Sequence, residues 1–384
     1  MIYENDCLTG DVIVYDGIEK RKMDFNDFRE SKSKYFTSPF KFIRKDDDKT
    51  LEETRDELLR DNEIIKKATK GFINFQKQGG SVQAALSVFE YFRDPSHKAE
   101  PILVDESEYF RHGTFGAICF AEEYQGRGFK YDFTSHYPAI MKSETFFIPF
   151  KKGTEVTITE PIHKIAIYHC VIGKSSDENI QKLFRWNRKN LYPYDDVLRA
   201  QELGLKVTIT KCMFWTQDEC IRGDKLFGKF VDYMFDLKKK KIPRAKHIFN
   251  CLAGKLMAKD ILKVKLHNDV DAEAIYPGRS MLTFYPFGED HHIFELVRNN
   301  SMYQSPWARV GAFLLSRGRY LLSRAMEDHI DKIVYCHTDG WVSRSQCKMT
   351  TSDELGQIKY EGYCEYCTMT NCTTKTGKFV LPNN

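Results

Sequence analysis

Asp331-Lys-Ile-Val-Tyr-Cys-His-Thr-Asp-Gly-Trp-Val-Ser343 is the stretch around which the rest of the chain is organised. It reads as a β-hairpin. Ile333, Val334 and Tyr335 form one β-branched and aromatic run, and Trp341 and Val342 form the other. His337-Thr338-Asp339-Gly340 is the connection, with Gly340 free to take a positive φ. Asp339 then stands at the tip of a tight turn between two rigid strands, as a carboxylate must be held for metal-ion chemistry.

One carboxylate cannot place two metals, so a partner is required. Upstream, Phe129-Lys-Tyr-Asp132-Phe-Thr-Ser-His-Tyr137-Pro138 reads as an aromatic strand ending at an Asp, followed by a turn. Between the two lies Lys246-His-Ile-Phe-Asn250-Cys-Leu-Ala-Gly254-Lys-Leu. On a helix Lys246 and Asn250, four apart, share a face.

Taken in this order, the three segments resemble the family B DNA polymerases. Asp132, Ser135, Tyr137 and Pro138 match that family's Asp-x-x-Ser-Leu-Tyr-Pro. Lys246, Asn250 and Gly254 match its Lys-x-x-x-Asn-Ser-x-Tyr-Gly. Tyr335, Thr338 and Asp339 match its Tyr-x-Asp-Thr-Asp-Ser. The fold this implies is α+β: a right-hand palm of antiparallel sheet with packed helices, a helical-hairpin fingers subdomain and α/β insertions.

The resemblance also implies roles. Asp132 and Asp339 are the catalytic metal ligands, joined by the backbone carbonyl of Phe133, for two Mg²⁺ ions (Mn²⁺ can substitute) held roughly 3.5–4 Å apart. Lys246 neutralises the triphosphate, with Lys238 and Arg244 as secondary contacts. Tyr137 lies against the incoming sugar and excludes a 2′-hydroxyl, and Asn250 and Ser135 complete the nucleotide pocket. Gly254, Lys255, Tyr335 and Lys359 fall where the family touches DNA. Two positions depart from the pattern. His337 replaces the first Asp of Asp-Thr-Asp, and Ala253 replaces the Tyr of the fingers motif, enlarging the pocket.

Composition bounds the remainder. The chain has 384 residues, 42% hydrophobic and 29% charged, ordinary values for a globular protein with two or three domains. No apolar run approaches a membrane span, and the polar N-terminus carries no secretory signal, so an intracellular protein of the host cytoplasm is expected. A net charge of +4 leaves nucleic-acid binding to local patches. Eleven scattered cysteines favour reduced thiols.

The N-terminal region, 1–105, resembles the end of the exonuclease domain of protein-primed members of the family, those of bacteriophages and linear plasmids. Strand-like Asp11–Tyr15 is followed by a helix over 51–78 with Leu51, Leu58, Leu59, Ile64, Ile65, Ala68, Phe72 and Phe75 on one side, then a second helix capped by Ser81. Asp61 falls where the last exonuclease Asp would be. No Asp-x-Glu precedes it and Glu57 replaces its Tyr partner, so Asp61 reads as an exposed helix carboxylate and proofreading as absent.

The remaining expected boundaries are a first palm part (106–145), an insertion resembling terminal-protein region 1 (146–223), fingers (224–260), a second insertion (261–304), a second palm part (305–363) and a vestigial thumb or tail (364–384). In Tyr109–Gly116, Arg111 and Gly113 either approach a template phosphate or belong to an ordinary loop. The insertion contains strands near Ile162–Tyr168 and Leu205–Thr210 and a helix at Asp195–Leu203. In the fingers, Pro243 breaks the first helix, and the five cations of Lys238-Lys-Lys-Lys-Ile-Pro-Arg244 suit a triphosphate. Ser305-Pro306 opens a helix running to Glu327, with Val310, Phe313, Leu314, Leu321 and Leu322 buried. Cys364, Cys367, Cys372 and Cys347 read as free thiols, not a zinc site.

Two functions from different classes follow. One is a template-directed DNA polymerase that uses deoxynucleotides, is primed by a terminal protein and lacks proofreading. A separate exonuclease or thumb subunit could complete it. The other is an inactive polymerase-like module that binds primer-template DNA or a terminal protein.

Overall fold

The computed structural model describes the backbone of 2–5, 12–15 and 20–23, then residues 51–299, 302–371, 374–376 and 379. Strands β1 (Ile2–Asn5), β2 (Val12–Tyr15) and β3 (Lys20–Met23) form an antiparallel sheet by themselves. Asp11 and Cys372 lie outside the described residues.

The helix expected over 51–78 is two helices. α1 (Leu51–Ala68) ends where Lys70 and Gly71 adopt left-handed φ values, and α2 (Phe75–Gln78) starts anew with Asn74 accepting from the Gln76 amide. The apolar periodicity ran across a break that only Gly71 marked. Leu58, Leu59 and Ile64 are exposed, whereas Asn62, Ile65 and Thr69 are buried. α3 (Ser81–Phe92) begins at Ser81 with Gly80 as its cap, so Ser81 is not the capping residue. Its buried Phe89 stacks on Phe227 at 5.2 Å. The N-terminal helices thus share one core with the fingers and palm helices.

α4 (Val104–Gly113) leads through an extended segment into β4 (Cys119–Ala121) and β5 (Tyr124–Phe133), then α5 (His136–Met141). β6 (Phe147–Pro149) follows. The insertion comprises β7 (Thr154–Thr157), β8 (Ala166–Ile172), α6 (Glu178–Leu183), β9 (Leu191–Pro193), α7 (Tyr194–Glu202) and β10 (Val207–Phe214). Its sheet runs β7-β10-β8-β9 around its own core. β11 (Cys220–Arg222) pairs back with β6 and launches the helical hairpin α8 (Gly223–Lys239) and α9 (Ala245–Leu256). The first helix stops at Lys239, before Pro243, because Lys240 caps it and Lys241 turns left-handed. A second insertion holds β12 (Ile261–His267), α10 (Ala272–Ile275), β13 (Arg279–Pro286) and β14 (His291–Arg298) in the order β12-β14-β13.

Ser305 caps a 3₁₀ turn, Pro306–Arg309, that leads into α11 (Val310–Glu327). α11 buries Val310, Phe313, Leu314 and Leu322, but Leu321 is exposed, one residue off the stripe. Two buried charge pairs, Arg309 to Glu106 (2.6 and 2.8 Å) and Arg319 to Asp196 (2.6 and 2.9 Å), and a half-buried one, Arg317 to Asp195 (2.7 Å), hold it. The Arg317 and Arg319 pairs tie α7 of the insertion to α11, and the Arg309 pair ties α4 to the turn before it.

The chain closes with β15 (Ile333–His337), β16 (Gly340–Ser343), β17 (Ile358–Asn371) and β18 (Thr374–Thr376). The six-stranded palm sheet reads β18-β17-β5-β16-β15-β4, so the two halves of the palm, far apart in sequence, interleave. β17 continues through Asn371; residues 364–371 are sheet, not tail. Cys347 is buried in the cluster containing Tyr131 and Trp341, Cys364 and Cys367 in another with Val342, and none is in a disulfide.

Candidate active site

Asp132 is the penultimate residue of β5, a central strand, and faces Gly340 on β16 and Lys359 on β17 in register. Asp339 lies in the two-residue turn between β15 and β16. The Phe133 amide donates to the Asp339 carbonyl at 2.9 Å, so the backbone itself locks the two Asp positions together. Gly340 is required for closeness, not for φ: a Cβ there would stand 2.5 Å from Asp132 Oδ1. The left-handed residue of the turn is Thr338, at φ 65°.

Burial, then the charge of Asp339, pushes the Asp132 carboxyl up to about 7. Burial also raises Asp339, against the opposing influence of His337 and Lys246. A third carboxylate, Glu361, sits at a bulge in β17, where the register shifts between Tyr360 and Gly362; it is ion-paired with Lys130. Sequence reading missed it, because a bulge breaks the period-2 rule that would have placed it.

These groups line a cleft of about 660 Å³. Its other wall is the fingers. Lys238 Nζ donates to Ser135 Oγ at 2.5 Å; Lys246, Lys239, Asn250, Phe249 and Ala253 complete that side. Ser135 is left-handed (φ 54°), and its neighbours are pinned to the loop before β17 by Thr134 N to Gln357 O (2.9 Å) and Gly356 N to Thr134 O (2.8 Å). Tyr137 lines the cleft and packs on Gly318 of α11, where a Cβ would come within 2.8 Å of its ring. His136 Nε2 lies 3.1 Å from the Gly318 carbonyl, and burial pushes its imidazole down to about 4, keeping it neutral. A glycine inside the buried stripe of a helix was the signal for Gly318, since it costs about 1 kcal/mol unless packing requires it.

Of the sequence-predicted residues, Asp132, Phe133, Ser135, Tyr137, Lys238, Lys246, Asn250, Asp339 and Lys359 line the one cleft. Lys359 is also paired with Asp353 at 3.0 Å. Tyr335, with His337 and Lys130, borders a smaller recess on the β15 side of Asp132. The others lie elsewhere. Arg244 caps α9 and turns away from the cleft to Asp61, Nε to Oδ2 2.7 Å. Asp61 is therefore a half-buried ion-pair partner, not an exposed carboxylate. Arg111 and Gly113 form the last turn of α4, not a loop; Arg111 pairs with Glu108, and Gly113 is buried against Ile167. Lys255 donates to Gln304 (3.0 Å), and Gly254 is exposed beyond the cleft lining.

No protein-family model and no curated protein matches the chain. Solved structures do. The phi29 DNA polymerase in its post-translocation complex with primer-template DNA aligns over 96% of this chain and 70% of its own, at TM-score 0.61 and 16% identity. The same polymerase with single-stranded DNA aligns over 79% and 56%, at TM-score 0.58 and 16% identity. With primer-template DNA and incoming nucleotides the values are 79% and 57%, TM-score 0.57 and 16%. The chain has the fold of a DNA polymerase. In the latter two alignments it spans little more than half the length of phi29 polymerase. Among the described residues no helix is long and apolar enough to cross a membrane.

Proposed function

We propose that the chain is a template-directed DNA polymerase of the family B, protein-primed type, joining deoxynucleotides at Asp132 and Asp339 without proofreading. The observation that carries this is the seating of both carboxylates at one end of the palm sheet, bonded through Phe133 N and Asp339 O, opposite Lys238 and Lys246.

The donor set fits hard divalent ions. Among the described residues no three His, Cys, Asp or Glu form a closed metal cage. Two carboxylates raised by burial form an open site short of positive charge, and such sites leave coordination to water and phosphate. Asp132, Asp339 and the Phe133 carbonyl would hold Mg²⁺ or Mn²⁺, which neutralises charge developing during phosphoryl transfer. Lys246 and Lys238 bind the triphosphate, and Ser135 orients Lys238. Tyr137, immobilised against Gly318, sets the sugar's position and excludes a ribose 2′-hydroxyl. Ala253 leaves the base side of the cleft wide. The Asp61–Arg244 pair commits the old exonuclease position to a structural bond.

Primer extension on a heteropolymeric template, with Mg²⁺ or Mn²⁺ and all four deoxynucleotides, is the test. Complementary products and no 3′ degradation of the primer are expected. A parent chain that binds primer-template but extends it with neither metal would establish the binding-module function instead.

A further inference from the structure

The insertion carries a knot of cations at one end of its sheet, beyond the ends of β8 and β10. Gly173 N donates to Lys206 O at 2.8 Å, and Trp186 Nε1 donates to Gly173 O at 3.2 Å. Lys174, Lys206 and the turn Arg185-Trp-Asn-Arg188-Lys189 therefore meet at Gly173. All five cations are exposed, and none has an ion-pair partner among the described residues. Five charges exceed the net charge of the whole chain, +4. Of the neighbouring acids, Asp177 caps α6, Glu202 pairs with Arg199, and Glu178 is exposed in the first turn of α6.

The turn is rigid. Asn187 is buried, and its side chain donates to His112 O and Leu191 O, both at 2.7 Å. Arg188 and Lys189 are thus presented at fixed positions. The turn is also near the site. From His112 the chain runs to Ile118, whose carbonyl accepts from Thr338 N at 3.2 Å, beside Asp339. Six residues span at most about 20 Å, the rise of roughly six base pairs.

We infer that Lys174, Arg185, Arg188, Lys189 and Lys206 form a grip for the sugar–phosphate backbone of the DNA engaged in the cleft. This rests on the polymerase reading above. An array of cations without ion-pair partners among the described residues, with Trp186 half-buried and bonded to Gly173 and Val171 as a single exposed aliphatic beside it, suits a phosphate ladder better than a protein, whose interfaces centre on clustered apolar anchors.

The experiment compares the parent with Arg185→Gln/Arg188→Gln/Lys189→Gln, first matched for thermal unfolding midpoint. Fluorescence anisotropy measures binding of a long primer-template across a salt series, with poly-glutamate as a second probe. At about 100 mM salt the triple variant should bind DNA roughly 10–100-fold more weakly, and the slope of log K against log salt should fall by about 2–3. Equal affinity and slope for DNA would overturn the grip, and a loss confined to poly-glutamate would reassign the surface to an acidic polypeptide. If the parent shows no salt-dependent DNA binding, the polymerase reading itself fails; a parent that binds while the variant is unaffected removes only the grip.

Discussion

The palm hairpin and the fingers tip each carry a dense run of charged or polar residues, and they turned out differently. In the palm, Asp132 and Asp339 meet because Gly340 pairs with Asp132 and the Phe133 amide bonds the Asp339 carbonyl, while Asp339 itself lies in the turn, where the alternation that sets neighbouring strand residues on opposite faces no longer applies. At the fingers tip, five cations that read as one triphosphate cradle are divided: Lys238 and Lys239 line the cleft, and Lys240, Lys241 and Arg244 do not. Lys238 faces Ser135, Lys239 reaches Glu354 (3.5 Å), Lys240 pairs with Asp236 (2.7 Å), and Arg244 pairs with Asp61. Around a helix end each residue points in a new direction, so neighbours in sequence need not share a ligand. Backbone pairing in a sheet carries positions in sequence to positions in a site, and a charge run at a helix end does not.

The sharpest way to break that contrast is at the hairpin. Asp339→Asn should abolish primer extension, a loss of several kcal/mol of transition-state stabilisation, with primer-template binding retained; single-turnover extension beside anisotropy checks this. Extension at the parent's rate would remove Asp339 from the centre.

At the fingers, Lys246→Ala should raise the deoxynucleotide KM and lower kcat/KM by about 100-fold, the scale of a charge-assisted phosphate contact. Arg244→Ala should leave that KM nearly unchanged. Equal effects from the two substitutions would restore the single cradle.

A smaller effect is expected at the sugar. Tyr137→Val should increase ribonucleotide incorporation by about tenfold or more while sparing deoxynucleotide use, measured as a ratio of kcat/KM values. An unchanged ratio places the sugar gate on another residue.

The smallest effect concerns Asp61. Asp61→Ala and Arg244→Ala should each cost about 1 kcal/mol in chemical denaturation, and the double variant little more, because one partly shielded bond is lost in all three. Additive losses would show that the two residues act apart.

Much of the fold was legible because its decisive elements are sheet and capped helix. β15 and β16, the Ser305-capped turn that leads into α11 and the fingers pair fall near their expected places. The N-terminal helices were harder to read. Leu58, Leu59 and Ile64 fit a helical period but face outward, since the core contacts of α1 come from Asn62, Ile65 and Thr69. Nine of the expected site residues share one cleft, whereas Glu361 and Asp353 were invisible, since each enters the site through a bulge or a loop that no periodicity describes, and Gly318 was marked only as a glycine within the buried stripe of a helix.

Thermal stability against pH and metal is the most direct test of Asp132 and Asp339 as a cation site. In metal-free protein the folded-state carboxyl of Asp132, at about 7, lies above its unfolded value near 3.8. Its contribution to stability is therefore complete below about pH 4 and is lost as pH rises towards 7. At pH 8 metal-free Asp132→Asn should be more stable than the parent by on the order of 2 kcal/mol, and that gap should close near pH 4. Millimolar Mg²⁺ or Mn²⁺ at pH 8 should raise the parent's Tm by several degrees and leave Asp132→Asn unmoved. A parent whose Tm ignores both ions, or an Asp132→Asn variant that responds as the parent does, would contradict the account.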